Sequence, residues 1–152
     1  MGPESFQAVH RRLVVAELER VYQFWYFRPD ISFLPENERL KPEEIGHYTW
    51  DFVWVIPGKE AEFDKEWVAL SNAKKARDPF LTYAGGPGTT MPVYVWFEYG
   101  KSPADYAEAE ERFWKSMGAE GADLSKRTRA LIRRSETKTG RYRPDLSFAP
   151  ER

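Results

Sequence analysis

The sequence predicts an α+β fold: a ferredoxin-like four-stranded antiparallel sheet with helices on one face, plus an N-terminal helix. Three observations carry this. His47 to Ile56 reads as a strand, with Tyr48, Trp50, Phe52, Trp54 and Ile56 on one side and His47, Thr49, Asp51, Val53 and Val55 on the other. Met91 to Tyr99 alternates in the same way. Around these two strands the apolar spacing switches to the three- and four-residue steps of amphipathic helices. From residue 47 the order is strand–helix–strand–strand–helix–strand, the split βαβ arrangement.

Each element has its own signature. Residues 4–25 read as a helix, with Phe6, Val9, Leu13, Val14, Leu18, Val21 and Trp25 on one side. Pro29, Pro35 and Pro42 make residues 26–46 an extended connection. Pro57-Gly58 ends the first strand, and Phe63, Trp67 and Leu70 mark a helix over 59–76. Phe80 to Ala84 is a short strand, and Gly85-Gly86-Pro87-Gly88 is the turn that follows it. Ser102-Pro103-Ala104-Asp105 starts a helix: a serine cap, a proline in the first turn and an acid near the positive end of the dipole. Gly118 and Gly121 break or bend that helix, which continues over Leu124 to Ser135. Gly140 precedes a last extended segment, Arg141 to Pro150. Residues 1–46 thus form a helix and a proline-containing segment packed on a domain spanning 47–152.

Composition narrows the functions. The 152 residues fit one domain and contain no cysteine, so a disulfide framework, a thiolate metal site and a thiol nucleophile are excluded. Lys and Arg number 23 against 24 Asp and Glu, so bulk charge directs the protein to neither nucleic acid nor an anionic membrane. No apolar run approaches the ~20 residues of a membrane span. Met1-Gly2-Pro3-Glu4 opens no basic-then-apolar leader, which predicts a cytoplasmic protein. Aromatic residues make up 16% of the chain, enough to build a core, an interface or a ring-lined pocket. Bulky apolar groups stand on both sides of 47–56 and 91–99, and helices can cover only one. A second copy of the sheet is the economical cover, which predicts a homodimer.

A ten-residue segment recurs. Phe27-Arg28-Pro29-Asp30-Ile31-Ser32-Phe33-Leu34-Pro35-Glu36 returns as Tyr142-Arg143-Pro144-Asp145-Leu146-Ser147-Phe148-Ala149-Pro150-Glu151, with seven positions identical. One reading is a pair of clamped edge segments, held by their rings and aliphatic groups while the prolines stop further pairing. The other is a pair of recognition strips in which Arg28 and Asp30, or Arg143 and Asp145, meet a partner.

The run His47-Tyr48-Thr49-Trp50-Asp51-Phe52-Val53-Trp54-Val55-Ile56-Pro57-Gly58 leading into Phe63 and Trp67 resembles the opening of a dimeric α-β barrel domain. So does Val93-Tyr94-Val95-Trp96-Phe97 followed by the helix with Phe113-Trp114-Lys115-Ser116-Met117-Gly118. The resemblance covers about residues 47–148 and implies a bacterial protein of that superfamily. Its members include cofactor-free monooxygenases, haem-degrading enzymes, haem peroxidases, chlorite dismutases and lactone isomerases, so fold alone names no reaction.

Candidate chemistry is sparse. His47 is the better placed of two histidines and can act as a general base; Asp51 shares its strand face, roughly 13 Å further along. His10 falls at the polar margin of the first helix. Neither helix at 59–76 or 103–135 carries a histidine, so the haem ligand of the peroxidase branch has no counterpart, and no cofactor is expected. Two separated histidines and no cysteine leave no metal site. The glycine turn lacks the Gly-Lys-Ser/Thr ending of a phosphate loop. The leading expectation is a small-molecule-binding homodimer with an aromatic pocket between sheet and helices, taking a small aromatic or hydrophobic ligand. Its lining would come from Trp50, Trp54, Tyr83, Trp96, Tyr99 and Trp114, with His47, Asp51 and Glu98 for orientation. The alternatives are a cofactor-independent oxygenase or isomerase acting on an aromatic or polyketide-like substrate, and an assembly module using the Arg-Pro-Asp segments.

Overall fold

The computed structural model describes residues 22–36, 39–74 and 79–141. It is α+β: a five-stranded antiparallel sheet and two helices. The strands are β1 (Trp25–Phe27), β2 (His47–Val55), β3 (Phe80–Gly85), β4 (Val93–Gly100) and β5 (Ile132–Gly140). Helix α1 (Glu60–Lys74) joins β2 to β3, and α2 (Pro103–Ala130) joins β4 to β5. Across the sheet the order is β1-β3-β4-β2-β5.

Several elements form for local reasons. Ser102 caps α2 by accepting the Asp105 N–H at 3.2 Å, with Pro103 in the first turn. At Gly118 the backbone turns to φ 53°, ψ −136°, which bends α2 at one of the two expected glycines. In the β3–β4 turn Gly88 sits at φ 84°, and a Cβ there would lie 2.1 Å from the Tyr22 carbonyl oxygen. Both the left-handed backbone and the space demand glycine.

Three expectations are corrected. The sheet has five strands rather than four, because Trp25–Phe27, expected as the end of the first helix and the start of a loop, pairs with β3. An aromatic triplet suits a pleated surface once a partner strand is present. The second helix stops at Ala130, and Ile132 to Ser135, expected as helix, opens β5. The β5 ladder runs Ile132 to Gly140 against β2, with an irregularity at Trp54/Val55. The expected terminal segment 142–150, the second repeat copy and the helical residues up to 21 lie outside the described residues.

Register assigns each side chain to a face. On the helix side lie Val53 and Val55 of β2, Tyr94 and Trp96 of β4, and Phe80 and Thr82 of β3. They meet Phe63, Trp67 and Leu70 of α1 and Phe113 and Leu124 of α2 in the core. Ring stacking organises it: Phe80 lies on Trp96 at 4.5 Å and 9°, and Trp67 meets Trp96 edge-on at 4.4 Å.

The first repeat copy is a clip on the β3 edge. The Thr82 carbonyl accepts the Arg28 N–H, and the Ser32 hydroxyl accepts the Thr82 N–H at 2.8 Å. Ile31 is fully buried, and its carbonyl accepts hydroxyls from Thr82 at 2.8 Å and Ser71 at 3.1 Å. Phe33 and Phe80 exchange backbone hydrogen bonds at 2.9 Å. The Arg28 guanidinium holds both Asp30 oxygens and reaches Asp64 on α1 at 3.2 Å. Asp64 in turn accepts the Tyr94 hydroxyl at 2.7 Å. Arg28 keeps the Asp30 carboxyl below its usual range, while burial and then the Asp64 bond raise the Tyr94 phenol. This copy therefore serves the clamped-edge reading.

A second ion pair ties the proline-rich connection to α2. Arg39 donates to both Asp105 oxygens at 2.9 Å, and the Lys101 N–H donates to one of them at 2.9 Å. With the Arg39 bond as the larger cause, the Asp105 carboxyl is lowered to about 2. A carboxyl depressed by folding stabilises the native state above its unfolded value, and that contribution fades as pH falls toward the folded value. Arg39→Ala should therefore lower the melting temperature by a constant amount above about pH 4, with the gap closing toward pH 2. A gap that stays level from pH 7 to pH 2 in parallel melts would refute the pair's role.

Candidate functional site

β2 and β4 run side by side at the centre of the sheet, so their outward residues meet in register. On the face away from α1 and α2, Tyr48, Trp50, Phe52 and Trp54 stand beside Tyr99, Phe97, Val95 and Val93. Leu81 and Tyr83 continue this face on β3, and Trp25 and Phe27 on β1. No described helix covers it. The rings pack sideways: Trp50 to Phe97 at 5.3 Å, Trp25 edge-on to Phe52 at 5.9 Å, and Phe27 to Tyr83 at 5.5 Å.

These rings enclose a groove of about 470 Å³, lined by Gln23, Trp25, Trp50, Phe52, Leu81, Tyr83, Val95 and Phe97. Its volume falls within the ~300–1,000 Å³ typical of ligand pockets. The lining is mostly apolar and aromatic, and its polar side-chain groups are the Gln23 amide, the Tyr83 hydroxyl and the indole N–H groups of Trp25 and Trp50. It contains no carboxylate and no imidazole, so its walls are suited to holding a flat apolar molecule rather than to moving a proton.

The residues singled out from sequence divide between the two faces. Trp50 and Tyr83 line the groove. Trp54 and Tyr99 share its face but lie outside its lining; Trp54 stacks on Phe52 at 6.1 Å, and Tyr99 is buried beside Phe97 at 6.3 Å. Trp96 is in the core, stacked between helix and sheet. Trp114 stays on α2, where its indole N–H donates to Glu110 at 2.9 Å.

His47, Asp51 and Glu98 are on the helix face. His47 is buried, shares a 3.2 Å hydrogen bond with Thr49, and packs its ring on Tyr106 at 5.6 Å. Glu98, also buried, pairs across from Thr49 and accepts the Tyr106 hydroxyl at 3.3 Å. Asp51 accepts the Thr137 hydroxyl from β5. His47, Thr49, Glu98 and Tyr106 form a polar cluster under the start of α2, while Asp51 stands apart beside β5, and the sheet separates all of them from the groove. Trp25, Phe52, Leu81, Val95, Phe97 and Gln23 are lining residues that sequence reasoning did not select. Strand alternation already put Phe52 with Trp50, and Val95 with Phe97; Trp25 was concealed by its assignment to a helix.

Among the described residues, no helix is long and apolar enough to cross a membrane. No family model and no curated protein matches the chain. A solved structure described as an anthrone oxidase-like protein is similar at a TM-score of 0.49 and 11% identity, over 73% of this chain and 52% of that one. The chain thus spans about half the length of that protein.

Proposed function

We propose that the protein is a homodimeric small-molecule-binding protein of the ferredoxin-like, α-β barrel type, and that it holds a flat apolar ligand in the groove on its helix-free face. The observation that carries this is the groove itself: aromatic walls from four strands around one ligand-sized space, with few polar groups. The order β3-β4-β2-β5, with both crossover helices on one face, supports the ferredoxin-like core. The dimer follows from the same face, where Tyr48, Trp50, Phe52 and Trp54 form an aromatic row that a second copy can cover.

A catalytic reading would place the acid–base work on His47, Thr49, Glu98 and Tyr106, across the sheet from the groove. No observation favours it over binding. The test is a titration with N-phenyl-1-naphthylamine, read by dye fluorescence, alongside sedimentation equilibrium. The expected result is a dimer that binds the dye saturably. A monomer that leaves the dye free in water would defeat the proposal.

A further inference from the structure

The groove has a charged flank. Arg134, Glu136 and Lys138 project from β5 onto the groove face, opposite Trp54, Phe52 and Trp50 respectively. The Arg134 guanidinium lies 4.5 Å above the Trp54 ring, and the Lys138 ammonium lies 5.0 Å from the centre of Phe52, a lining residue. Such contacts place a cation on the negative face of a ring and keep it there without burying it.

Glu136 lies between the two cations. Its carboxylate is 2.6 Å from Arg134 and 3.5 Å from Lys138, so the shorter contact goes to the arginine. Two positive groups thus share one acid, and the positive excess falls at Lys138, the one beside the groove. Among the described residues on this face Glu136 is the only acid, and the groove lining has none. A cationic ligand would meet like charge there. An uncharged one would make no use of Lys138. The Lys138 side chain is 61% exposed, so its four-carbon stem can turn toward a guest at little cost.

Resting on the binding role assigned to the groove above, we propose that its ligand is a planar aromatic acid. The ring system lies on Trp50, Phe52 and Phe97, and its single carboxylate or sulfonate pairs with Lys138. Lys138 stands on the marginal strand and is largely exposed in the subunit, so the pair selects the anion by a modest factor and weakens with salt.

Two probes of nearly equal shape separate this from simple apolar binding: 2-naphthoate and 2-naphthamide. Each is titrated into 15N-labelled protein at low ionic strength and followed by the indole N–H resonances of Trp25 and Trp50. The naphthoate should bind about fivefold more tightly. Lys138→Gln should bring the two affinities together, while Lys115→Gln, on the exposed side of α2, should leave the preference intact. Equal affinities in the wild-type protein would overturn the anion assignment and leave the binding role standing. A preference that survives Lys138→Gln would overturn the assignment to that lysine. Resonances that respond to neither probe would remove the groove as a site, and both proposals with it.

Discussion

Phe63→Ala is expected to cost about 3–5 kcal/mol of folding stability, the range for a large aromatic deleted from a packed core. Phe63 is fully buried on α1 and touches both layers that α1 joins. Its ring stacks on Trp67 at 4.9 Å and meets Tyr94 at a tilt of 40°, 4.8 Å away. Trp67 then contacts Trp96, which contacts Phe80, so one ring begins a chain of aromatic contacts that crosses from helix to sheet. Rigid rings cannot collapse into the gap as aliphatic side chains can, so the cavity stays open and the cost stays high. Urea unfolding should show a much lower midpoint with an unchanged slope. A loss below about 1 kcal/mol would mean that Phe63 is not part of a close-packed core.

Trp50→Ala should weaken binding of N-phenyl-1-naphthylamine at least tenfold, equivalent to about 1.4 kcal/mol or more. Trp50 lines the groove and packs against Phe97 and Tyr48 on either side. It stands on a half-buried face, so truncation removes a wall from the groove without hollowing the core. The fold should therefore survive, and a melt recorded beside the titration confirms that. Trp54→Ala is the control: it truncates the same type of ring in the same proposed dimer row but outside the lining, so any cost to the dimer is common to both variants and the larger loss in Trp50→Ala reads the groove. Equal losses in the two variants would show that the dye reads general ring exposure and not the groove.

Local signals were legible in the sequence and non-local ones were not. Ser102, Pro103 and Asp105 announce the start of α2 because capping is settled within four residues. The alternation of β2 and β4 was readable because each has two differently packed sides. β1 was concealed because three aromatic residues become a strand only when β3 lies beside them. β5 was concealed for a different reason. Arg133, Arg134, Glu136 and Lys138 put charge on both sides of an edge strand, so no apolar face marks it, and the helical spacing of Leu124, Leu131 and Ile132 runs into it.

The site was half legible. Two aromatic strand faces could be read directly, but which one takes the helices is decided by packing. Val53 and Val55, which are smaller, face α1 and α2, while Trp50 and Trp54 face away. The space expected between sheet and helices is filled by Trp96, Trp67, Phe63 and Phe113, and the groove formed on the opposite side.

The Arg28 clip bears on how the sheet resists polymerisation. β1 is only three residues long and runs into Pro29, so that margin offers almost no template to an incoming chain. Among the described residues the other margin is β5, where Arg133, Arg134 and Lys138 set positive charge against an incoming copy of the same strand. Neutralising those three positions should therefore let two copies join β5 to β5 in one continuous sheet, and the assembly should stop there, because a self-complementary antiparallel contact closes on itself and the β1 margin supplies no second template.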